Sequence, residues 1–281
     1  MRFLTALVCT LLISASSLCK ESSSPATKQA DLRIITLAPH LTEIVYALDL
    51  AEYLVAVSDY SDYPQAAQTL QRVASYQGVD FAAVTRLRPT HILAWRGGNK
   101  AQDIGRLRDM GFEVLFDAPE SIHDLARHIR DIQSFIGLRS TEHKLAQQLE
   151  SKLNQLKQQT PNKKYRAVYA MSDYPLSGMG NDPWINSILN TCGVKNIYAD
   201  TSTSYMQLDI SDILRSKPDL IISASMHSTR YEDSRWYEHK AVFMPHWIKV
   251  DPDSLHRFSP RTVTATEQLC ANVADIIGGT P

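Results

Sequence analysis

Aromatic residues stand where the predicted strands of this chain end. Tyr60 lies in the loop after the second predicted strand, Trp95 directly follows the third, and Tyr205 precedes a helix of the second half. Tyr76 and Tyr174 extend the set. Such side chains offer a flat apolar face with one polar group, which suits a large, flat and partly polar ligand. The chemistry predicted is stacking against a ligand, although aromatic residues in these places can also simply cover the protein.

The motifs of the common enzyme classes are missing from the sequence. There is no Gly-x-Ser-x-Gly nucleophile elbow, no Gly-x-x-x-x-Gly-Lys phosphate loop and no Gly-x-Gly-x-x-Gly dinucleotide loop. The pair Gly97–Gly98 after Trp95 is too little for such a motif. It predicts instead a place where a ligand approaches the backbone closely.

Nine histidines raise the question of a metal site. The pairs His123/His128 and His239/His246 lack the tight spacing of metal ligands. His40, at the end of the first predicted strand, has two interpretations. It reaches the ligand and coordinates a metal centre there, or it makes local hydrogen bonds at the start of a helix. We predict no metal site and no resident cofactor, and a secreted metal-dependent enzyme remains a remote alternative.

Composition bounds the class of protein. The 281 residues contain 29 Lys and Arg against 30 Asp and Glu, a formal net charge of −1 at pH 7. Nucleic-acid binding needs a concentrated basic surface, so no nucleic-acid partner is predicted. With 44% hydrophobic and 21% charged residues, the chain is an ordinary globular sequence, long enough for one large domain or two lobes.

The N-terminus is typical of an exported protein. Arg2 precedes an apolar run at 3–13 and small residues at 14–17. That run is well short of the ~20 residues that span a bilayer as a helix. We predict a signal peptide over residues 1–19, a flexible linker over 20–31 and a periplasmic location. Acylation at Cys19 and a buried N-terminal helix are the less favoured alternatives.

Two cysteines remain after such a leader, Cys192 and Cys270. An exported protein folds in an oxidising compartment, so the simplest expectation is that they pair as a disulfide. The loop of 270 − 192 = 78 residues would give a stabilisation of about 4 kcal/mol in the chain-entropy model. A metal site is the weaker alternative, because neither cysteine has a second ligand at suitable spacing.

Apolar runs alternate with helical patterns in the first half of the chain. The predicted strands are 33–37, 54–57, 91–94 and 113–116. Thr42 is predicted to cap a helix in which Ile44, Val45 and Leu48 share one face. Strands separated by helices predict an α/β layer with a mostly parallel sheet.

One segment recurs. Residues 80–94 and 209–223 both carry Asp, a helical pattern, a basic residue, Pro and then an apolar strand, at an offset of 209 − 80 = 129. One explanation is chance, because many α/β proteins share these residues at helix starts and helix ends. Two similar lobes are the better one, and the ligand of such sheets lies beyond the carboxyl ends of the strands, in the cleft between the lobes.

Between the repeats, Ser140 to Thr160 carries Leu145, Leu149, Leu153 and Leu156 at helical spacing. This predicts a helix of about 20 residues, about 30 Å long. We assign it as a rigid connection at 139–161 between an N-terminal lobe at 32–138 and a C-terminal lobe at 162–281. Such a connection predicts little lobe movement on ligand binding.

Several motifs carry a resemblance to a known family. The most specific are the segments 57–64 (Val-Ser-Asp-Tyr-Ser-Asp-Tyr-Pro), 94–99 (Ala-Trp-Arg-Gly-Gly-Asn) and 257–261 (Arg-Phe-Ser-Pro-Arg). From about Arg33 onward the chain resembles the iron-siderophore and cobalamin class of periplasmic solute-binding proteins, and within it the cobalamin branch. The resemblance implies two α/β lobes on one long helix, the class III binding-protein fold. It also implies a monomer that carries cobalamin to the permease of an ABC importer, with no catalysis.

The resemblance also implies ligand contacts by position. These are Tyr60, Tyr76, Trp95, Arg96, Tyr205, Asp253, Ser254, Leu255, His256 and Arg257. Three of them depart from the family, which has Trp where this chain has Tyr76, Tyr205 and Ser254. Stacking is expected to survive at the two tyrosines and to be lost at the serine. The family's disulfide falls on the same two cysteines predicted above.

Docking and ligand choice stay open at this level. The family docks through a Glu on each lobe, but this chain has Ala82 and Ser211 there, so Asp80, Asp209 and Asp212 are the substitute candidates. Haem is an alternative ligand, with Tyr60 or His40 as the axial group. A ferric siderophore is another, and it would need cleft arginines, for which only Arg96 and Arg257 are available.

Overall fold

The computed structural model describes residues 31–138, 143–160 and 164–278. The first lobe is a sheet of six strands in the order β4-β3-β2-β1-β5-β6. All neighbours are parallel except the hairpin of β3 and β4. Its elements are β1 (Ile34–Thr36), α1 (Pro39–Ala47), β2 (Leu54–Ser58), β3 (Arg72–Ser75), β4 (Gly78–Val79), α2 (Phe81–Leu87), β5 (His91–Trp95), α3 (Ala101–Asp109), β6 (Val114–Asp117) and α4 (Leu125–Phe135).

The second lobe is a six-stranded mixed sheet. Its strands run in the order β10-β8-β7-β11-β12, and β9 pairs with β7. Parallel pairs join β7, β9, β11 and β12, whereas β8 is antiparallel to both of its neighbours. Its elements are β7 (Tyr165–Asp173), β8 (Leu176–Met179), α6 (Pro183–Thr191), β9 (Val194–Asn196), β10 (Tyr205–Gln207), α7 (Ile210–Ser216), β11 (Leu220–Ser223), β12 (His246–Lys249), α8 (Pro252–Leu255) and α9 (Pro260–Gly278).

The repeat predicted from the sequence is structural. Asp80 caps α2 by accepting a hydrogen bond from the backbone N–H of Ala83, and Asp209 caps α7 in the same way. Arg88 and Lys217 end the two helices in the left-handed region, at φ 48° and 46°. Each copy then enters a central strand, β5 or β11. The two-lobed α/β prediction is confirmed.

The connecting helix is shorter than predicted. As described, α5 spans Lys144–Gln159, 16 residues or about 24 Å, and residues 139–142 lie outside the described part of the chain. The helix buries Ala146, Leu149, Leu153 and Leu156. These side chains belong to one hydrophobic core that includes strand and helix residues of both lobes. From Leu32 onward the chain forms a single compact unit.

Two local predictions were wrong. Thr42 does not cap α1: the helix begins at Pro39, and Thr42 is a buried residue inside it, hydrogen-bonded to Thr36 with 2.7 Å between the hydroxyl oxygens. Proline is well suited to a first helical turn because its missing N–H would have no partner there. The sequence reading also missed the short strands β3 and β4.

One buried carboxylate joins the lobes. Glu43, on α1 of the first lobe, accepts hydrogen bonds from Ser259 Oγ at 2.6 Å, Arg261 Nη2 at 2.7 Å and Arg257 Nη1 at 3.1 Å. Only 2% of its side chain is exposed. A charge buried this deeply is strongly destabilising unless it is paired. Helix α1 is therefore held against the first turn of α9 and the residues that precede it.

Aromatic rings fill the space beside this carboxylate. His40 contacts Trp95 and Phe258 edge-on, with ring centroids 5.4 and 5.1 Å apart, and Phe258 contacts Trp184 at 4.5 Å. His40 is 4% exposed. Burial, followed by the nearby positive charges that His128 and Arg257 can carry, lowers the pKa of His40 to about 3. Its ring is therefore neutral and part of the packing.

The predicted disulfide between Cys192 and Cys270 is present and links the end of α6 to α9. The predicted signal peptide and Cys19 lie outside the described residues. Within the part of the chain that is described, no helix has both the length and the apolar character needed to cross a membrane.

Removing the disulfide should weaken the fold. Because the bond closes a loop of 78 residues, the double variant Cys192→Ser/Cys270→Ser should lose about 2–4 kcal/mol of unfolding free energy. Urea denaturation followed by circular dichroism measures this change. Dithiothreitol should produce the same loss in the wild type and none in the variant. Equal midpoints for oxidised and reduced wild type would contradict the prediction.

Stability should also fall with acidity through His40. An unfolded histidine takes up a proton near pH 6.5, whereas the folded pKa is about 3, so the unfolded state binds the proton first as the pH falls. Between about pH 7.5 and pH 5 the free energy of unfolding should drop by about 2 kcal/mol on this account. Urea titrations at both pH values measure the drop, which His40→Gln should reduce and His227→Gln, at an exposed position, should not. An unchanged drop in His40→Gln would overturn the assignment.

Candidate functional site

The candidate site lies where the carboxyl ends of the parallel strands of the two lobes meet. The loop after β2 carries Tyr60 and Asp62, and the segment after β12 carries Asp253 and Arg257. Arg257 Nη1 donates to Asp62 Oδ1 at 2.6 Å, so the two loops meet across the lobes. This contact joins strand-end loops of the two lobes, which is the region where α/β sheets bind ligands.

The loop after β2 holds the side chain of Tyr60 in solvent. Tyr60 is 74% exposed, and its backbone lies in the left-handed region at φ 60°. That conformation costs a tyrosine roughly 1–2 kcal/mol. Support comes from buried hydroxyl contacts of Ser61 with Ser58 and Thr42, and from Arg72, which donates to the Ser58 and Ser61 carbonyls.

The indole ring of Trp95 fills the space over Gly97 and Gly98, where the sequence predicted that a ligand approaches the backbone. A Cβ at Gly97 would lie 2.5 Å from the indole Nε1, and one at Gly98 would lie 2.1 Å from the ring. The two glycines therefore admit the indole of Trp95, which corrects the prediction of close ligand approach. Asn99 fixes the turn, accepting from the Trp95 N–H at 2.7 Å and donating to the Leu37 carbonyl at 2.8 Å.

Tyr76 and Tyr205 take equivalent places in the two lobes, at the repeat offset of 205 − 76 = 129. Tyr76 is 82% exposed at the turn between β3 and β4, where Lys100 Nζ holds the Gln77 carbonyl at 2.7 Å. Tyr205 is 56% exposed on β10, and its hydroxyl donates to Ser177 Oγ at 2.7 Å. Neither aromatic ring is in the core.

Two further exposed side chains lie at this edge of the second sheet. Tyr174 is 60% exposed in the turn after β7, and its hydroxyl donates to Glu238 at 2.8 Å. Met226, three residues after β11, is 82% exposed. The sequence reading noted Tyr174 but left it out of the predicted contacts. It missed Met226, although its position shortly after an apolar strand was a usable signal.

The segment 253–257 divides between the cleft and the core. Leu255 is 1% exposed, so its predicted ligand contact is wrong: the side chain lies in the core because α8 packs it inward. Ser254 donates to Asp251. Burial lowers the pKa of His256 to about 4 and raises the pKa of Tyr169, so Tyr169 O–H donates to a neutral His256 Nε2 at 2.9 Å.

Both candidate cleft arginines are already paired with carboxylates. Arg257 contacts Asp62, Glu43 and Asp253, at 2.6, 3.1 and 3.2 Å. Burial opposes its charge, but the hydrogen bonds to Asp62 and Glu43 outweigh that effect and raise the pKa of Arg257. Arg96 Nη2 lies 2.9 Å from Asp117 Oδ1. The site therefore presents aromatic faces and balanced charge rather than a free cationic surface.

The three aspartates considered for docking have local partners. Asp80 and Asp209 cap α2 and α7 through Oδ1, as described above. Asp212 accepts from the Tyr198 hydroxyl at 3.1 Å and pairs with Arg215. Ala82 and Ser211 are exposed on the same two helices. Over the described residues, no group of three or more His, Cys, Asp or Glu side chains is arranged to hold a metal ion.

Known proteins share this architecture. A vitamin B12-binding protein of Vibrio vulnificus is 32% identical over 253 residues, covering 87% of this chain and 90% of the relative. The crystal structure of the periplasmic vitamin B12 binding protein BtuF of Vibrio cholerae superimposes with a TM-score of 0.79 at 32% identity, covering 88% of this chain and 98% of BtuF. The periplasmic haem binding protein HutB of Vibrio cholerae has a TM-score of 0.73 at 19% identity, covering 86% of this chain and 98% of HutB, a likeness of fold alone.

The model of one protein family, described as periplasmic binding protein, matches residues 34–238. That span covers the whole first lobe, the connecting helix and most of the second lobe. With two lobes on a shared core and a cleft at their strand ends, the chain belongs to the periplasmic binding protein family.

Proposed function

We propose that this protein captures cobalamin in the cleft between its lobes and delivers it to the permease of an ABC importer. The observation that carries the proposal is the display of exposed aromatic side chains from both lobes around one cleft. Tyr60 and Tyr76 contribute from the first lobe and Tyr205 from the second. A corrin ring is large and flat, with amide side chains at its rim, and matches such a surface. Relatives that are at least 30% identical carry the name vitamin B12-binding protein.

The proposed mechanism is binding without catalysis. The shared core, the α5 connection and the Glu43 cluster hold the lobes together, so the cleft is largely formed before the ligand arrives. The protein then loses little conformational freedom when the ligand binds, and this favours high affinity. We infer that the protein works as a monomer in the periplasm, where the solved relative BtuF is located according to its description.

The site offers less to haem or to an anionic siderophore. His40, the histidine considered above as an axial group, is buried among rings. An anionic siderophore would need free cations, but Arg96 and Arg257 are paired with carboxylates. Tyr60 remains exposed and available to haem iron, so haem is the second candidate ligand.

Docking to the permease is proposed to use the two repeat helices. α2 and α7 begin at equivalent positions of the two lobes and expose Asp80, Ala82, Asp209 and Ser211. Each capping aspartate uses one oxygen for its helix. The second carboxylate oxygen of each aspartate is proposed to bind a basic residue of the membrane partner.

Calorimetric titration separates the two ligands. Cyanocobalamin should bind one-to-one with a dissociation constant in the nanomolar range, and haemin should bind at least about 100-fold more weakly. The reason is the match of neutral amides and a flat ring to aromatic faces with balanced charge. Saturable haemin binding without any heat from cyanocobalamin would keep the family and overturn the ligand assignment.

Single substitutions locate the binding surface. Tyr76→Ala and Tyr205→Ala should each weaken cyanocobalamin about 10-fold, equivalent to about 1.4 kcal/mol, without changing the unfolding midpoint, because both rings are exposed. Met110→Ala is the matched control: Met110 is 42% exposed at the end of α3, which returns to the opposite edge of the sheet. Equal affinities for all three variants and the wild type would place the ligand elsewhere.

A further inference from the structure

A cavity lies on the second lobe, where β12 ends. It has a volume of about 300 Å³ and is lined by Met226, Lys249, Val250, Asp251, Pro252 and Asp253. All six residues follow β11 or end and follow β12, so the cavity opens at the carboxyl ends of these strands. None of the functions assigned above uses Met226, Lys249 or Asp251.

The cavity pairs one hydrogen-bond donor with strong acceptors. Lys249 Nζ donates to the carbonyl of Ser225, which leaves two further N–H groups on the ammonium. Asp253 keeps 61% of its side chain exposed while Oδ1 accepts from Arg257 at 3.2 Å. Its carboxylate therefore has capacity to accept from a ligand. The exposed thioether of Met226 and the ring of Pro252 supply an apolar wall.

The charges around the cavity exclude an ionised ligand group. Lys249 is opposed by the carboxylates of Asp251 and Asp253 at the cavity and by Asp173, which is fully buried nearby. An anionic group would face more carboxylates than cations, and a cationic group would face the ammonium of Lys249. A neutral group that both donates and accepts hydrogen bonds meets neither penalty.

We propose that this cavity is a subsite for a primary carboxamide on a short alkyl arm, and that it discriminates amides from carboxylates. Lys249 Nζ donates to the amide oxygen, the Asp253 carboxylate accepts from the amide NH₂, and Met226 packs against the alkyl stem. The inference rests on the proposed function, because cobalamin carries acetamide and propionamide arms around its ring.

Cyanocobalamin and its three monocarboxylic acids, each with one propionamide hydrolysed to propionate, are the probes. Calorimetry on the wild-type protein should show binding of cyanocobalamin at least about 10-fold tighter than binding of one of the acids. The difference should shrink in high salt because it is electrostatic. Failure of cyanocobalamin to bind at all would count against the proposed function. Tight and equal binding of all four ligands would overturn the subsite alone.

Two substitutions should change the preference for cyanocobalamin over its monocarboxylic acids in opposite directions. Asp253→Asn removes a negative charge and should narrow the preference to within about 3-fold. Lys249→Met removes the positive charge, so it should weaken cyanocobalamin about 10-fold and widen the preference. Met226→Ala should weaken both ligands equally, because the stem is common to them.

Lys195→Met is the matched control. Lys195 is an exposed lysine of β9 that pairs with Asp200, so the variant should leave every affinity unchanged. A general loss of packing would shift both ligands together in every variant. A preference that moves the same way in Asp253→Asn and Lys249→Met, or in neither, would therefore overturn the proposal.

Discussion

The buried carboxylate of Glu43 is the constraint on which the arrangement of the lobes depends. It sits on the first helix of the first lobe and is surrounded by donors from the residues that lead into the last helix. An unpaired charge in that place would cost several kcal/mol, so the two lobes are held in the register that pairs it. Arg257 connects this cluster to the candidate site. It also binds Asp62, which lies near Tyr60 in the first lobe, and Asp253, which lies on its own segment.

Around this cluster the lobes share one core rather than meeting at a flexible hinge. Leu149 and Leu153 of the connecting helix pack in the same cluster as Leu41 of the first lobe and Ile188 of the second. The disulfide adds a covalent link between α6 and α9 on the side of the second lobe. A hinge would need this core to open, and opening it would expose apolar surface to water. The fold favours a cleft whose shape exists before binding.

The surface of the cleft is costly to maintain without a ligand. Tyr60 holds a left-handed backbone, and Tyr76 and Tyr205 leave most of their surface in water. Strain and exposure of this kind persist where the surroundings enforce them, commonly at functional sites. Here the enforcing contacts are specific: Arg72 and the buried hydroxyls under Tyr60, Lys100 under the Tyr76 turn, and Ser177 under Tyr205. The resulting surface is aromatic, and its arginines are paired with carboxylates.

The features that short-range chemistry controls could be predicted from the sequence. Alternating apolar runs and helical patterns predicted the α/β class, and the recurrence of 80–94 at 209–223 predicted two similar lobes. The pair of cysteines that follows the predicted leader predicted the disulfide. Aromatic residues at strand ends predicted a ligand site between the lobes, because parallel strands bring their carboxyl ends to one edge.

How these groups are used depends on contacts that form in the folded protein. Arg257 is neutralised by Glu43, 214 positions away, and no local pattern announces such a partner. The space above Gly97 and Gly98 is taken by the ring of Trp95, whose direction is set by packing against Phe258 of the other lobe. Packing also decides that the side chain of Leu255 lies in the core and that the side chain of Met226 is exposed. Which side chains a ligand can reach depends on contacts between residues far apart in the chain, and those contacts exist only in the folded protein.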